Sequence, residues 1–308
     1  MHDLGGVLTR RAFYGLLTLF LLITLVFFVT RFVGDPVAML AGSDPTEEML
    51  QQIRERLGLD VPVWQQYVTF LGDIVRGDLG DSYSQGVPAV ELVAERLPAT
   101  LLLAVLALLL AIVISIPIGV IAAIRPGSLI DSVARVLAVL GQSVPVFWLA
   151  ILMIIFFAVN LRILPAGGTG TWQHLVLPAV ALSISSVPLT MRLTRSALLE
   201  VLNKDYIRTA RAKGLREWEV VIKHGLRNAL IPIVTVLTLR LGDLIGGAIV
   251  LEQVFAYPGL GRLAVQALHV RDFPVIQAFI IVTAAAIILI NLIADVIYTV
   301  VDPRVRVN

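Results

Sequence analysis

The chain has 308 residues, of which 58% are hydrophobic and only 15% are charged, and it contains no cysteine. This composition is unlike that of a soluble globular domain, and it excludes disulfide bonds, thiol catalysis and thiolate metal sites. The net charge of +2 gives no indication of a nucleic-acid partner. Charge-free runs cover 12–30, 97–124, 136–161 and 273–294. A helix needs about 20 such residues to cross a bilayer, so the sequence predicts an all-α polytopic membrane protein.

The hydropathy pattern predicts six transmembrane helices in a single membrane domain, 1–308. They cover about 10–32, 97–124, 134–159, 175–197, 228–251 and 275–300. The first run lacks a small-residue cleavage site and is too long for a signal peptide, so we expect it to be retained. Four prolines in the second, third and fourth predicted helices are interpreted as kinks, because neighbouring helices can bond the freed carbonyls. They are Pro117, Pro145, Pro178 and Pro188.

The distribution of Lys and Arg predicts the orientation, because cytoplasmic loops of membrane proteins carry an excess of positive charge. Placing the N-terminus inside assigns 15 of the 24 basic residues to the cytoplasm. The segments concerned are 1–11, 125–135, 192–227 and 301–308. We therefore expect a multi-pass membrane protein with both termini in the cytoplasm.

Residues 33–96 form a hydrophilic insertion that this orientation places outside the cytoplasm. The insertion holds 11 acidic and 4 basic side chains. Helix-like stretches at Pro45–Leu57 and Trp64–Val75 alternate with turn-rich segments. It can be a platform for another protein or a solvated lid whose charge keeps it soluble.

Motifs of enzymes are absent from the sequence. It has no P-loop and neither G-x-S-x-G nor H-E-x-x-H. The four histidines have no metal-ligand spacing, and the glycine-rich "GGTGT" at 167–171 is interpreted as a loop. We expect a chain without catalytic residues, metal ligands or a cofactor of its own.

The segment 198–230 is the most basic part of the predicted cytoplasmic side. Four of its residues share one helical face by spacing, namely Tyr206, Thr209, Ala210 and Lys213. Gly214 is placed to end that helix with a positive φ. A second apolar stripe is expected from Trp218, Val221 and Ile222. The segment is either a protruding knob that binds a partner or a basic loop that only fixes topology.

The stretch "DYIRTARAKGL…HGLRNALIP" resembles the cytoplasmic loop of ABC importer permeases of the dipeptide/oligopeptide (and nickel/glutathione) family, B-type subunit. The resemblance covers nearly the whole chain. It includes "GDPV", "LGLDVPVWQQY", "GDLGDSY", "RLPATLLLAVLALLLAI", "SVPVFWLA", "RILPAGG", "LPAVALSI", "EQVFAYPGLGRLAVQAL", "RDFPVIQ" and "VDPRVR". It implies the type I ABC importer permease fold and a location in a bacterial or archaeal cell (inner) membrane.

The resemblance also implies partners and a role for the loop. The loop resembles a coupling helix that docks on a cytoplasmic ATPase. Its implied contacts are Tyr206, Arg208, Thr209, Ala210, Lys213, Gly214 and Leu215. Further implied partners are a second homologous permease, two ATP-binding subunits or domains that hold ATP and Mg²⁺, and an extracytoplasmic substrate-binding protein. The insertion 33–96 is the expected platform for that binding protein.

Arg240 and Asp243 lie near the middle of the fifth predicted helix, where related permeases usually have uncharged residues. Three positions apart, they share one face of the helix and can neutralise each other. They are candidates for the translocation path, or a paired charge that only packs the helix bundle.

The family resemblance implies import of di- or oligopeptides, and relatives of the same architecture carry nickel, glutathione or haem. A self-sufficient secondary transporter is the alternative from another class. The absence of a detectable internal repeat and the presence of the family loop argue against it.

Overall fold

The computed structural model describes residues 4–33, 37, 46–56 and 58–301. Within them the helices are α1 Leu4–Val33, α2 Glu47–Arg56, α3 Val63–Arg76, α4 Ala89–Ile124, α5 Leu129–Ser143, α6 Val146–Asn160, α7 Gln173–Ile184, α8 Val187–Leu202, α9 Asp205–Ala212, α10 Glu217–Val254, α11 Leu260–His269 and α12 Phe273–Val301. Four of these are long and apolar enough to cross a membrane. Two bent pairs raise the number to six when each pair counts as one span. The all-α, polytopic fold class is confirmed.

The expected kink at Pro145 is wrong, because the helix ends there, and at Pro117 the helix is uninterrupted. Pro117 lies within α4, which continues past it. At Pro145 the chain instead ends α5 and begins α6, and the two helices meet at 103°. Val144, which precedes the proline, is extended at φ −91° and ψ 125°. Proline disfavours a helical conformation in the residue before it, and here that preference ends the helix.

The fourth predicted span is also two helices, α7 and α8, which meet at 53°. Neither proline makes the break. Pro178 lies inside α7, and Pro188 is the second residue of α8, where the missing N–H has no partner to lose. The chain turns at Ser185 and Ser186, between the two helices.

The larger of two compact units is built on Ala99–Pro258. In it α8 contacts α5, α7 and α10. Gly119 allows α4 to approach α8, because a Cβ there would lie 2.8 Å from the carbonyl oxygen of Met191. The helix that leads into the predicted cytoplasmic loop is therefore held on several sides.

The smaller unit is built on Arg10–Pro98 and Gly259–Ile288. Its core consists of buried apolar residues from α1, α4, α11 and α12, among them Ile23, Val93, Leu260, Ala278 and Ile281.

The predicted insertion belongs to this smaller unit. Both of its helix-like stretches are confirmed as α2 and α3, although Pro45, Leu57, 34–36 and 38–44 lie outside the described residues, as does the chain end 302–308. Asp81 and Pro88 form an antiparallel bridge that closes a short hairpin. The buried carboxylate of Asp272 holds this hairpin by accepting hydrogen bonds from the Ser82 and Ser84 hydroxyls, at 2.6 and 2.8 Å.

Candidate functional site

The predicted cytoplasmic loop folds into a helical elbow, defined here as the coupling elbow, residues 205–226. It consists of α9, a turn, and the start of α10, in which Val220–Leu226 is π-helical. Gly214 ends α9 at φ 78°, as predicted. Its N–H donates to the Arg211 carbonyl at 2.9 Å, and the Leu215 N–H donates to the Ala210 carbonyl at 3.4 Å. These two bonds are those of a Schellman motif, which requires the left-handed conformation that glycine adopts without strain.

The inner side of the coupling elbow is a small apolar core. Ile207 and Val220 are fully buried, and Ala210 packs with them against α8. Gly225 lets the π-helical turn approach α8, since a Cβ there would lie 3.0 Å from the Leu198 side chain. Ala210, which the helical pattern placed on the same face as Thr209, is thus 7% exposed and supports the elbow from within.

The three residues of the expected second apolar stripe differ in burial. Val221 is buried, but Trp218 and Ile222 are 62% and 48% exposed. The residue that joins Val221 in the interior is Val220. A π-helical turn has i→i+5 hydrogen bonds, so the α-helical spacing on which the prediction rested does not apply there.

The outer side of the coupling elbow combines small, apolar and basic residues. The exposed members of the predicted set are Tyr206, Arg208, Thr209, Lys213, Gly214 and Leu215. Arg211 braces the turn through two hydrogen bonds to the Glu217 carboxylate, at 2.7 and 3.1 Å. The hydrogen bond to Glu217 raises the pKa of Arg211 above its ordinary value. The arrangement can bind a protein surface, and it brings together no nucleophile with a base.

Arg240 and Asp243 form an ion pair on α10, with 2.8 Å between Arg240 Nη1 and Asp243 Oδ2. The Asp243 side chain is 66% exposed and that of Arg240 is 34% exposed. Leu239 and Val250 are exposed on the same helix. The pair therefore forms as the spacing predicts, and Asp243 points away from the core of its own chain.

Sequence reasoning missed two buried carboxylates of the larger unit. Asp131 on α5 is 1% exposed at its side chain and accepts hydrogen bonds from Arg195 Nε and Nη2 of α8, at 2.6 and 2.9 Å. Glu252 is fully buried and accepts a 2.6 Å hydrogen bond from Thr100. The only available signal was a charged residue near an end of an apolar helix, the first turn of α5 for Asp131 and the last turn of α10 for Glu252. The partners lie 64 and 152 positions away in sequence.

Two family comparisons cover most of the chain. Residues 6–104 match the N-terminal part of a binding-protein-dependent transport system membrane component. Residues 115–307 match the family described as "Binding-protein-dependent transport system inner membrane component". The chain belongs to this family of transport permeases.

The permease is similar over its length to curated members of the family. It is 42% identical to the glutathione transport system permease protein GsiC of Escherichia coli O6:H1 over 94% of this chain and 95% of that protein. The oligopeptide permease AppB of Bacillus subtilis is 43% identical over 89% of this chain and 90% of AppB. The dipeptide permease DppB of Escherichia coli is 40% identical over 91% of this chain and 92% of DppB.

Solved structures support the same fold. A chain of the inward-facing MetNI methionine ABC transporter aligns with a TM-score of 0.55 and 25% identity, over 68% of the permease and 96% of that chain. A chain of an amino acid ABC transporter aligns with a TM-score of 0.52 and 18% identity, over 70% and 94% of the two chains. The permease is a multi-pass membrane subunit of an ABC importer.

Proposed function

We propose that the permease imports di- or oligopeptides that an extracytoplasmic binding protein delivers, in a complex driven by ATP. The observation that carries this proposal is the near-equal identity to dipeptide, oligopeptide and glutathione permeases over about nine-tenths of the chain. Glutathione is itself a tripeptide, so a short peptide backbone is common to all three cargoes. Glutathione import is the second candidate, favoured by the 42% identity to GsiC.

ATP hydrolysis takes place in partner subunits, two ATP-binding chains or domains that hold ATP and Mg²⁺. The coupling elbow docks on them from the cytoplasmic side. Thr209 and Gly214 allow close seating, while Arg208 and Lys213 attract acidic groups of the partner. Because its apolar inner side is fixed to α8, the elbow transmits a displacement of the ATPases to the membrane helices.

Two further partners complete the complex. A second homologous permease forms the other half of the membrane part. The binding protein docks on the acidic insertion 33–96, on the side opposite the coupling elbow. The ion pair Arg240–Asp243 either lines the translocation path or contacts the second permease, because an exposed carboxylate in the middle of the membrane is too costly to face lipid.

The coupling elbow is tested by Thr209→Trp in the assembled transporter, reconstituted in liposomes with its binding protein and a labelled dipeptide. We expect ATP-dependent uptake by the original chain and loss of most of it in Thr209→Trp, because an indole cannot fit into a groove that accepts threonine. Arg125→Trp is the matched control. It adds the same bulk at an exposed position of the other short cytoplasmic loop, and uptake should remain.

Two outcomes contradict the proposal separately. Uptake of glutathione without uptake of any other short peptide assigns the cargo to the second candidate. Full peptide uptake by Thr209→Trp shows that the elbow does not seat in a close groove.

A further inference from the structure

Helix α3 of the insertion divides its surface into three sectors. Gln66, Tyr67, Phe70 and Ile74 face the smaller unit and are buried or partly buried. Gln65, Thr69 and Arg76 form an exposed polar sector. The third sector, the α3 stripe, is apolar and exposed: Trp64 is 69%, Val68 60% and Val75 88% exposed. Intervals of four and seven residues place the three side chains of the stripe on one face of the helix.

The contacts of the buried sector give the level of α3 along the membrane span α1. The Tyr67 hydroxyl lies 2.7 Å from Thr24 Oγ1. The ring of Phe27 lies 5.2 Å from those of both Tyr67 and Phe70. The apolar stretch of α1 runs from Thr9 to Phe32. At 1.5 Å per residue, the contact residues Thr24 to Phe27 lie about 8 to 12 Å inside its C-terminal end.

The neighbouring surface of α1 is exposed and apolar at this same level. Leu25 is 59% exposed, Phe28 37% and Phe32 83%. In a membrane-spanning helix such apolar side chains face lipid unless a second membrane subunit covers them. The α3 stripe continues this exposed apolar surface, because α3 packs directly beside it through Tyr67 and Phe28, whose rings lie 5.8 Å apart.

We propose that α3 is an interfacial helix whose stripe inserts into the bilayer at the membrane face where α1 ends. Interfacial helices bury their apolar face about 5–10 Å into the boundary between headgroups and acyl chains, a range that overlaps the level at which α1 holds α3. Tryptophan is enriched at that boundary, where its ring is apolar and its N–H meets water. The polar sector then faces the aqueous phase.

The consequence is a fixed position for the insertion. The lipid contact and the Thr24–Tyr67 bond hold α3 flat on the membrane face. The acidic side chains of the preceding helix, Glu47, Glu48 and Glu55, are not part of the stripe and are exposed, so that they can meet the water-soluble binding protein. A protein covering the α3 stripe is the competing occupant, and the experiment distinguishes the two.

The test measures the exposure of spin labels on single cysteines, which the cysteine-free sequence permits without prior changes. Val68→Cys and Val75→Cys are labelled in the assembled transporter in phospholipid vesicles. Collision rates are measured with oxygen, which concentrates in lipid, and with a water-soluble nickel chelate. Leu25→Cys is the lipid reference and Thr69→Cys, on the polar sector, is the aqueous control.

We expect the ratio of oxygen to nickel collisions at Val68 and Val75 to be several-fold above that at Thr69 and close to that at Leu25. Nickel collisions as frequent as at Thr69 would mean that the stripe faces water, and the proposal would be wrong. Protection from both reagents, or a change only when the binding protein is added, would mean that a protein covers the stripe and would equally overturn it. The measurement needs no transport, so it is independent of the cargo.

Discussion

Gly167 has no room for a side chain. A Cβ there would lie 2.7 Å from the carbonyl carbon of Phe255 and would overlap its oxygen, to which the Gly168 N–H donates a 2.8 Å hydrogen bond. The first glycines of "GGTGT" therefore serve a backbone contact. We expect Gly167→Ala to lower stability by about 1–3 kcal/mol, as overpacking does. The melting temperature in detergent measures the effect, with Gly72→Ala, which meets no atom within 4 Å, as the control. Equal melting temperatures for the two variants would contradict the prediction.

Arg240 and Asp243 are the residues whose role depends most on the membrane. An isolated charge at mid-helix costs roughly 2.5–3.5 kcal/mol on insertion scales, so the 2.8 Å pair offsets a cost that lipid would impose. If the pair lines the path, it meets the carboxylate and amine of a peptide. The exchange Arg240→Asp with Asp243→Arg should then abolish peptide uptake while ATP hydrolysis continues, because the attraction is kept and the order of charges is reversed.

The single neutral variants Arg240→Gln and Asp243→Asn complete that experiment. Each should reduce uptake measured with labelled dipeptide. Normal uptake by both variants, or by the exchanged pair, assigns the residues to packing alone.

At the scale of the helices, the sequence predicts well where a helix exists, but it predicts poorly where a helix is broken. The helices containing the first, second, fifth and last predicted spans appear as α1, α4, α10 and α12 because long apolar runs have no stable alternative to a helix in a bilayer. A proline in an apolar run does not by itself predict a break, since Pro117 lies in an unbroken helix and Pro145 separates two helices. The difference depends on which neighbours receive the freed backbone groups, and this is a tertiary property.

In the candidate site, too, local features can be predicted from the sequence and tertiary contacts cannot. Gly214 is predictable, because a glycine after a short helix has one common local use. The burial of Ala210 and Val220 is not, since it depends on a π-helical turn and on packing against α8. The Asp131–Arg195 ion pair could not be predicted either, because no residue near Asp131 in the sequence indicates its partner.

For the whole molecule, the uneven charge distribution predicts which side of the membrane each hydrophilic region occupies. The segment 192–227 holds nine basic and four acidic residues, and 33–96 holds four basic and eleven acidic residues. Such an excess of Lys and Arg is retained in the cytoplasm. The coupling elbow and the hairpin 81–88 should accordingly lie on opposite sides, with the elbow and both termini inside.

Cysteine labelling tests this orientation at two exposed positions, Gln85 in the hairpin and Lys213 in the coupling elbow. Ser82 is unsuitable although it lies in the same hairpin, because it is 2% exposed and bonded to Asp272. In intact cells a membrane-impermeant maleimide should label Gln85→Cys and leave Lys213→Cys unlabelled until the membrane is permeabilised. Inverted vesicles should give the opposite pattern. Labelling of Lys213→Cys in intact cells would place the elbow outside, where no ATPase is available, and would remove the orientation and the coupling role together.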